Sequence, residues 1–357
     1  MNQLKSILAT TIIVAIAFVS CKKDKDPVII VPPSSGSQVE LNGLAGTEAG
    51  SAAGNSVYLD LSTNQATAVT RASWDLGFYC GSDFRVILNN TTSAGAKVLA
   101  QNDLIAVGAA DTIGLTLSVN QISPAPSDMA YFDDIAGSVT NTVIPEVSAT
   151  DANNKVIIIN RGTGGSTAAR PWMKIRVLRN AGTGYTLQYA RITAATFQTV
   201  QISKDNSYHF KLLSFENGVI SAGQPEKAKW DLVWGYSLFQ TNFGTGLVPY
   251  NFSDMIAVNH LSNVQVKEKI YADAATAAAA YSAFNKDSVN ATTLVTGRWT
   301  IGSSWRSTQP ATGARLDRFY LIKDAQGNYY KFKCLSMGVG SDGGTRGKPR
   351  FQYDLIP

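Results

Sequence analysis

Ser73-Trp74-Asp75-Leu76 and Lys229-Trp230-Asp231-Leu232 are two copies of one short motif in this chain of 357 residues. Each copy follows a strand-like run, residues 57–61 in the first case and residues 210–215 in the second. Each is followed much further along the chain by a hairpin pattern. Self-similarity of this kind is typical of duplicated structural units. A tryptophan repeated in both units favours a shared architectural role, so both motif tryptophans are expected to anchor cores.

Most of the chain consists of short runs rich in Val, Ile, Thr, Tyr and Phe, separated by Gly, Asn and Asp. Such runs are the signature of antiparallel strands in sandwiches or barrels, so the fold class is predicted to be mainly β. Two hairpins are predicted around Asn180-Ala181-Gly182-Thr183-Gly184 and Asp324-Ala325-Gln326-Gly327, because Asn or Asp with Gly supports a tight reversal. The alanine-rich segment 271–285 predicts one short helix that packs Tyr281 and Phe284 against a sheet.

The predicted organisation has four segments. Residues 1–20 are interpreted as a lipoprotein signal peptide, and residues 21–40, which are rich in Pro, Ser and Gly, as an extended lipidated tether. The rest of the chain exceeds the size at which one hydrophobic core usually stops growing. Two tandem antiparallel β domains are therefore expected, over residues 41–200 and 201–357.

The N-terminal segment combines Lys5, an apolar run over residues 7–19 and small residues before Cys21. A basic start and an apolar core of about 7–15 residues are typical of a secretory signal, which is too short for a bilayer-spanning helix. Phe18-Val19-Ser20 is similar to a permissive lipobox, so Cys21 is predicted to be lipidated and to anchor the chain in a membrane. The alternative is an ordinary secretory signal with an incidental cysteine. In both cases the chain is expected to leave the cytoplasm.

Charge and cysteine content restrict the function classes. The formal net charge is +5, with 31 Lys and Arg against 26 Asp and Glu, which is too weak a bias to predict nucleic-acid binding. Apart from Cys21, only Cys80 and Cys334 occur, which is too few for a disulfide framework. Two separate buried thiols are expected, with one bond between them as the alternative.

No common catalytic motif is present in the sequence. It lacks a G-x-S-x-G elbow, an H-E-x-x-H zinc helix, a P-loop and a C-x-x-C knuckle, and it contains only two histidines. The adjacent acids Asp133 and Asp134 are expected on a solvated loop rather than around a glycosidic bond. The sequence therefore predicts that the protein is not an enzyme.

Several stretches of the second unit resemble one known family. They are Trp230-Asp231-Leu232-Val233-Trp234, Phe239-Gln240-Thr241-Asn242, the hairpin around Asp324 to Tyr329, and Gly347-Lys348-Pro349-Arg350-Phe351-Gln352-Tyr353. They are similar to the HmuY family of lipid-anchored, mostly β haem-binding proteins of Bacteroidetes outer membranes. The first unit resembles the family less closely, through residues 57–61, Trp74-Asp75-Leu76 and the hairpin over residues 173–191.

The resemblance implies two tandem HmuY-like units and a tetrapyrrole ligand. Its implied partners are haem or a haem-carrying protein and a TonB-dependent outer-membrane receptor. The implied location is the outer membrane, with a lipid anchor and the domains facing the cell surface. The implied role is haem capture for iron acquisition, without a catalysed reaction.

The resemblance also implies a haem-ligating histidine five residues after the motif tryptophan. The first unit has Tyr79 at that position and the second has Gly235. Haem iron accepts a Tyr phenolate as an axial ligand, whereas glycine has no side chain to offer. A nearby cation would favour the phenolate, and Arg85 is the nearest one in the sequence.

The remaining soft side chains give further candidates for axial ligands of haem. His209 alternates with Lys211 in a strand-like run and is expected to face solvent. His260 ends another such run, residues 254–260, in which Met255 would lie on the opposite face, and Met129 lies in a Pro-rich loop that could overhang a cleft. Methionine ligates haem but is more often core filler, which is also the interpretation of Met173 in a strand-like run. The candidates are Tyr79, Met129, Met255 and His260.

Two functions from different classes remain open at this stage. The first is haem binding and capture at the bacterial cell envelope, which rests on the resemblance. The alternative is a surface-exposed β interaction module that binds glycan or protein and no haem. The loss of a side chain at Gly235 favours the alternative, whereas Tyr79 leaves haem possible in the first unit.

Overall fold

The computed structural model describes residues 32–357 except residues 183, 221, 222 and 245. The predicted signal peptide over residues 1–20 and the predicted anchor Cys21 lie outside the described residues. Within those ranges no helix is long and apolar enough to cross a membrane. Antiparallel strands dominate the described chain, which confirms the prediction of a mainly β protein.

The strands are short and follow one another along the whole described chain. In chain order they are β1 Gly36–Glu40, β2 Asn55–Asp60, β3 Gln65–Thr70, β4 Leu76–Tyr79, β5 Val86–Leu88, β6 Gly95–Val98, β7 Ile157–Asn160, β8 Met173–Arg179, β9 Tyr185–Arg191, β10 Gln198–Ile202, β11 Phe210–Ser214, β12 Gly218–Ile220, β13 Leu232–Asn242, β14 Leu247–Val258, β15 Gln265–Ile270, β16 Arg306–Ser307, β17 Gly313–Ala314, β18 Arg318–Lys323, β19 Tyr329–Ser336 and β20 Arg350–Ile356. The α-helices are α1 Ala274–Ala283 and α2 Lys286–Asn290. Short 3₁₀ turns lie at Gly50–Ala52, Arg71–Ser73, Ala109–Thr112, Pro126–Tyr131, Asp151–Asn153, Gly164–Ser166 and His260–Ser262.

The larger sheets stack in pairs to form two sandwiches. The first sandwich combines the sheet β12-β11-β4-β5 with the sheet β10-β9-β8-β7-β6, and Phe78 packs with Leu187 in its core. The second sandwich combines the sheet β14-β13-β2-β3 with the sheet β1-β20-β19-β18-β15, and Trp234 packs with Phe332 in its core. Strands β16 and β17 form a small separate ribbon.

The hairpins that precede the two Trp-Asp-Leu motifs are exchanged between the sandwiches. Hairpin β2–β3 comes before the first motif, yet β2 pairs with β13, which follows the second motif, and Leu59 lies opposite Leu232. Hairpin β11–β12 comes before the second motif, yet β11 pairs with β4, which follows the first motif, and Leu213 lies opposite Leu76. Each four-stranded sheet therefore contains strands from both sequence repeats.

This exchange corrects the predicted domain organisation. The boundary between residues 41–200 and 201–357 separates the two repeats of the sequence, but it does not separate the sandwiches. Residues 33–357 form one compact unit. The two hairpins precede similar motifs and occupy equivalent places in the two sheets, so the sequence pattern alone does not distinguish a hairpin that stays in its own repeat from one that is exchanged.

The predicted tether over residues 21–40 also includes residues that belong to the fold. Residues 36–40 form β1, which pairs with β20 at the edge of the second sandwich, and Val39 packs against the core. Without β1, strand β20 would carry unpaired backbone groups along a sheet edge. Pairing with β1 satisfies those groups, which is why this Pro- and Ser-rich segment ends in a strand.

Local sequence signals agree with the structure. Both predicted hairpins form, as β8–β9 and β18–β19. The rings of Tyr281 and Phe284 each lie 5.4 Å from the ring of Phe319 in β18, which confirms the helix that packs against a sheet. Cys80 and Cys334 are buried free thiols, as expected.

The aspartate of each motif binds the exchanged hairpin. The Asp75 carboxylate accepts a hydrogen bond from the Phe215 N–H at 2.9 Å, at the end of β11. The Asp231 carboxylate accepts one from the Leu61 N–H at 2.9 Å, at the end of β2. Each motif therefore joins the strand that follows it to a strand from the other repeat.

An asparagine further along the chain stabilises each motif, and the sequence analysis did not identify it. The side-chain amide of Asn89 donates to the Trp74 carbonyl at 2.7 Å, and that of Asn259 donates to the Trp230 carbonyl at 2.8 Å. The separations along the chain are 15 and 29 residues. Because these separations differ, a comparison of the sequences around the two motifs does not show that the asparagine is repeated.

The two motif aspartates differ in the charges around them. Asp75 forms ion pairs with Arg161 at 2.8 Å and with Arg170 at 3.0 Å. Asp231 is 3% exposed, and within the described ranges no basic side chain forms an ion pair with it. Burial, together with nearby carboxylates such as Asp324, raises the pKa of Asp231 to about 8. Asp231 is therefore largely protonated at neutral pH.

Replacing each aspartate by asparagine should have different effects on stability. Asp75→Asn leaves Arg161 and Arg170 buried beside a neutral amide, and breaking a buried ion pair costs about 3–5 kcal/mol. Asp231→Asn retains an acceptor for the Leu61 N–H and should change the free energy of unfolding little at pH 5. Urea unfolding of the two variants and the wild type at that pH measures both effects.

The Asp231 carboxyl group also predicts a pH dependence of stability. Its folded-state pKa of about 8 lies above the value of about 3.9 for an unfolded aspartate, so the folded protein binds more protons between these pH values. Its contribution to stability is complete below about pH 4 and is lost as the pH rises through about 8. The free energy of unfolding of the wild type should therefore fall relative to that of Asp231→Asn between pH 5 and pH 9. Parallel pH profiles for the two proteins would contradict this protonation state.

Candidate functional site

A cavity of about 130 Å³ lies where the exchanged hairpins meet the strands that follow the motifs. Strands β2, β5, β11, β13 and β14 contribute to its walls, so both sandwiches line it. Its lining is mainly apolar and aromatic, with a few polar groups. The lining residues are Tyr58, Trp74, Ile87, Leu88, Asn90, Ala94, Asp133, Asp134, Ile135, Gly137, Ser138, Val139, His209, Phe210, Leu212, Gln224, Trp230, Val233, Leu238, Ala257, Val258, Asn259, His260, Leu261 and Arg298.

The two motif tryptophans both line this cavity. Trp74 is buried in a cluster with Phe210, and Trp230 is half-buried with its ring edge-on to Tyr58 at 5.1 Å. The indole N–H of Trp230 is buried and has no hydrogen-bond partner. The tryptophans were expected to be core anchors alone, but their position at the junction of the two repeats also makes them the aromatic walls of the site.

His260 lies on the cavity wall in the turn that follows β14. Its Nδ1 is 3.3 Å from the Val258 carbonyl and its Nε2 is 3.3 Å from the Gly137 carbonyl. Burial and the nearby Arg298 guanidinium lower the pKa of His260, so the imidazole is neutral at pH 7. A neutral imidazole carries one N–H, so only one of the two contacts is a hydrogen bond, and the other nitrogen carries a lone pair.

His209 also lines the cavity, which corrects the expectation that it faces solvent. It is 8% exposed, because β11, which it precedes, is a central strand covered on both faces. Its Nε2 lies 2.9 Å from the Ser262 hydroxyl and 3.1 Å from the Asn259 side-chain oxygen. Burial lowers the pKa of His209 to about 4, so this ring is neutral as well. Its Nε2 is engaged within the protein.

A wall segment, residues 133–139, separates the cavity from the protein surface. An outer depression of about 580 Å³ lies beyond it and shares with the cavity Gly137, Ser138, Val139, His260, Leu261 and Arg298. The wall segment is held by isolated hydrogen bonds: the Trp299 indole N–H donates to the Ile135 carbonyl at 2.5 Å, and the Asp133 carboxylate accepts the Leu88 N–H at 2.6 Å. The segment forms no strand itself, but Ile135 packs with Leu238 of β13.

Asp133 therefore differs from the solvated acid that the sequence suggested. Its carboxylate accepts the N–H groups of Leu88 and Val143, the second at 2.9 Å, and burial raises its pKa to about 6. These bonds hold the start of the wall segment against β5. The role that the structure gives Asp133 is to position this segment.

Arg298 lies beside His260 at the boundary between the cavity and the outer depression. Its guanidinium forms no hydrogen bond or ion pair with another side chain in the described part of the chain, and burial lowers its pKa. A β-carbon added to Gly137 would lie 3.1 Å from both Arg298 Nη1 and His260 Cε1. Gly137 thus allows the wall segment to approach both side chains closely.

The other predicted ligand candidates lie in different surroundings. Tyr79 is half-buried and packs on Phe210 next to the cavity, at 5.6 Å between ring centroids. Met129 lines a neighbouring surface depression with Asp133, and Met255 is 1% exposed in the strand pair opposite Gly235. Of the four candidates, His260 is the one whose side chain lines the cavity.

Met173 is buried in the first core, which confirms its interpretation as filler. Gly235 is also buried, against β2, where a β-carbon would lie 3.3 Å from the Ser56 backbone. Within the described ranges no group of three His, Cys, Asp or Glu side chains is placed to hold a bare metal ion.

The comparison with family models identifies the chain. The model described as HmuY protein matches residues 52–353, which is most of the chain and includes both sandwiches except β1 and the end of β20. The chain belongs to the HmuY family. No curated protein and no solved structure matches it. The single match spans the exchanged hairpins together with both motifs, so the HmuY family match covers the entire junction around the cavity.

The sequence analysis did not identify Arg298, Asn259 or the wall segment as parts of the site of this HmuY protein. Arg298 lies in an irregular stretch between α2 and β16, where no periodicity or motif marks it. The one available signal was the repeat itself: His260 directly follows Asn259, the equivalent of Asn89. Aligning the two repeats on their asparagines would have identified Asn259 beside His260, which was already a ligand candidate.

Substituting Gly137 tests the packing of the wall segment in this HmuY protein. Gly137 has φ of +81° and Gly114 has φ of +78°, but a β-carbon at Gly114 would meet nothing within 4 Å. Gly114→Ala should therefore cost about 1 kcal/mol from backbone strain alone. Gly137→Ala should cost more, because its β-carbon would lie 2.8 Å from Arg298 Cδ. If urea unfolding shows the same loss of unfolding free energy for both variants, the contact of Gly137 with Arg298 does not restrict the side chain at position 137.

Proposed function

We propose that this HmuY protein binds haem or a related tetrapyrrole between its two sandwiches and does not transform it. Membership of a family associated with haem binding supports the proposal. The observation that carries it is the neutral imidazole of His260 on the wall of an apolar, tryptophan-lined cavity. Haem needs burial of its ring faces and a soft ligand for its iron, and these residues offer both.

The residues of the site divide these tasks between them. Trp74 and Trp230, together with Phe210, provide apolar surface for the macrocycle, at about 25 cal/mol per Å² of surface removed from water. His260 provides an imidazole nitrogen with a free lone pair, the form that binds iron. Bound haem would supply a metal centre that the side chain can hold, which orients the ring within the cleft.

Binding requires that the wall segment moves. A cavity of about 130 Å³ is smaller than the roughly 300–1,000 Å³ typical of sites for drug-sized ligands. Displacing the wall segment joins it to the outer depression of about 580 Å³. The same movement removes the Gly137 carbonyl from His260 Nε2 and frees that nitrogen. Opening of the site and exposure of His260 Nε2 to the iron would therefore occur together.

We further propose that the protein acts at the cell envelope. The apolar run before Cys21 supports lipidation at that residue and attachment to the outer membrane, with the folded part at the cell surface. Its partners there would be a haem-carrying protein and a TonB-dependent receptor. Mass spectrometry of the mature N-terminus tests the anchor, and an unmodified terminus beyond Cys21 would contradict it.

Haemin titration followed by absorption tests the haem site and its ligand. The wild type should shift the main haemin absorption band at micromolar protein, and His260→Ala should weaken or abolish the shift because the iron loses its ligand. Met255→Leu, Met129→Leu and Tyr79→Phe are controls of similar volume and should bind as the wild type does. Circular dichroism checks that each variant is folded.

Other outcomes assign the site differently. Loss of the shift in Met129→Leu or Tyr79→Phe, with His260→Ala unaffected, would move the iron ligand to that residue. No shift with the wild type in either oxidation state would contradict haem binding. The protein would then be better described as a surface β module that binds glycan or protein.

A further inference from the structure

Arg298 differs from the buried arginines of the described chain, because Arg71 and Arg306 donate hydrogen bonds to backbone carbonyls and the Arg298 guanidinium donates none. Arg161 and Arg318 form ion pairs with Asp75 and Glu268, each at 2.8 Å. The Arg298 guanidinium has no such partner in the described part of the chain, and its half-buried side chain lines both the cavity and the outer depression. Its guanidinium nitrogens are not fully buried, so the charge keeps contact with solvent at this boundary and is available to pair with an anionic group of a ligand.

Two acids, Asp133 and Asp134, lie near Arg298, and neither forms an ion pair with it in the described structure. Asp133 also lines the cavity, but its carboxylate oxygens accept the N–H groups of Leu88 and Val143, at 2.6 and 2.9 Å. No ion pair forms between Asp133 and Arg298 in the described structure. A second donor without a partner, the indole N–H of Trp230, lies on the same cavity. The cavity is therefore lined by two donor groups, the Arg298 guanidinium and the Trp230 indole N–H, that have no hydrogen-bond partner in the described structure.

We propose that Arg298 binds a carboxylate of a ligand whose apolar part lies between Trp74 and Trp230. The ligand class is an amphipathic molecule with an extended apolar body and at least one carboxylate. A guanidinium binds a carboxylate through two parallel hydrogen bonds, which fixes orientation as well as affinity. The inference rests on the proposed function, in which the apolar body is a tetrapyrrole and the carboxylate is one of its propionates.

The position of Arg298 suits this role. It shares the boundary of the cavity with His260, and both side chains approach Gly137. A ligand that enters from the outer depression therefore meets a cation and an imidazole at the same edge. The imidazole would bind the metal of the ligand. The guanidinium would bind the carboxylate of the ligand, which remains closer to solvent. Arg298 thus selects for acidic ligands, whether or not they carry iron.

Iron-free protoporphyrin IX and its dimethyl ester separate these contributions. The two compounds share the apolar ring, neither carries iron, and only the first has carboxylates. In fluorescence titrations of the full chain, Arg298→Gln should bind protoporphyrin IX about tenfold to a hundredfold more weakly than the wild type and should bind the ester equally well. Arg298→Lys should recover part of the loss, because it keeps the charge but not the paired hydrogen bonds.

The controls are Arg315→Gln and His260→Ala. Arg315 is exposed and does not line the cavity, so its replacement changes the net charge equally and should leave both affinities unchanged. His260→Ala should affect haemin but not protoporphyrin IX. Equal weakening of acid and ester by Arg298→Gln would assign Arg298 a structural role and overturn the inference. Unchanged binding of the acid would also overturn it.

The same titrations distinguish this inference from the proposed function. If haemin binds and Arg298→Gln binds protoporphyrin IX as the wild type does, the haem function stands and the carboxylate site is wrong. If the wild type binds neither haemin nor protoporphyrin IX but binds hexadecanoate in an Arg298-dependent way, the carboxylate site stands and the haem function fails. Absence of binding to all three probes overturns both.

Discussion

The fold depends on the hydrogen bonds by which each motif aspartate binds a hairpin from the other repeat. Through Asp75 and Asp231, the strand after each motif is joined to β11 or β2, and neither four-stranded sheet is complete without the exchanged hairpin. The two sandwiches therefore share strands from both repeats and form one compact unit. Pairing between strands so far apart in sequence carries a high entropic cost of loop closure, which buried polar contacts at the motif help to offset.

The same exchange creates the cavity. Because the hairpins cross between the sandwiches, Tyr58 from β2 and Phe210 from β11 reach the junction together with the two motif tryptophans. A pair of separate sandwiches would bury these rings in two cores. At a junction, the rings pack less completely and leave an apolar space that the wall segment covers. The candidate site is thus a consequence of the connectivity and not an addition to one sandwich.

The sequence predicts the local elements well and their arrangement poorly. The β class, the two hairpins and the packing of Tyr281 depend on residues close in sequence, and turn chemistry and helix propensity are sufficient to place them. The hairpin exchange, the strand over residues 36–40 and the burial of His209 depend on which sheet edges meet, and no local pattern encodes that. Arg298 was missed for a related reason. The absence of a hydrogen-bond or ion-pair partner for its guanidinium is visible only in the three-dimensional structure.

The two repeats are equivalent in backbone but not in chemistry. Asn259 matches Asn89, so His260 stands where the first repeat has Asn90, whose side-chain amide donates to the Ser237 hydroxyl at 2.9 Å. The junction therefore has an imidazole at one of two equivalent positions and an amide at the other. Amide groups do not serve among the usual axial ligands of haem iron, and the Nε2 of His209 is already engaged. The duplication has thus diverged into an asymmetric site, in which one side offers an imidazole and a cation while the other offers mainly packing surface.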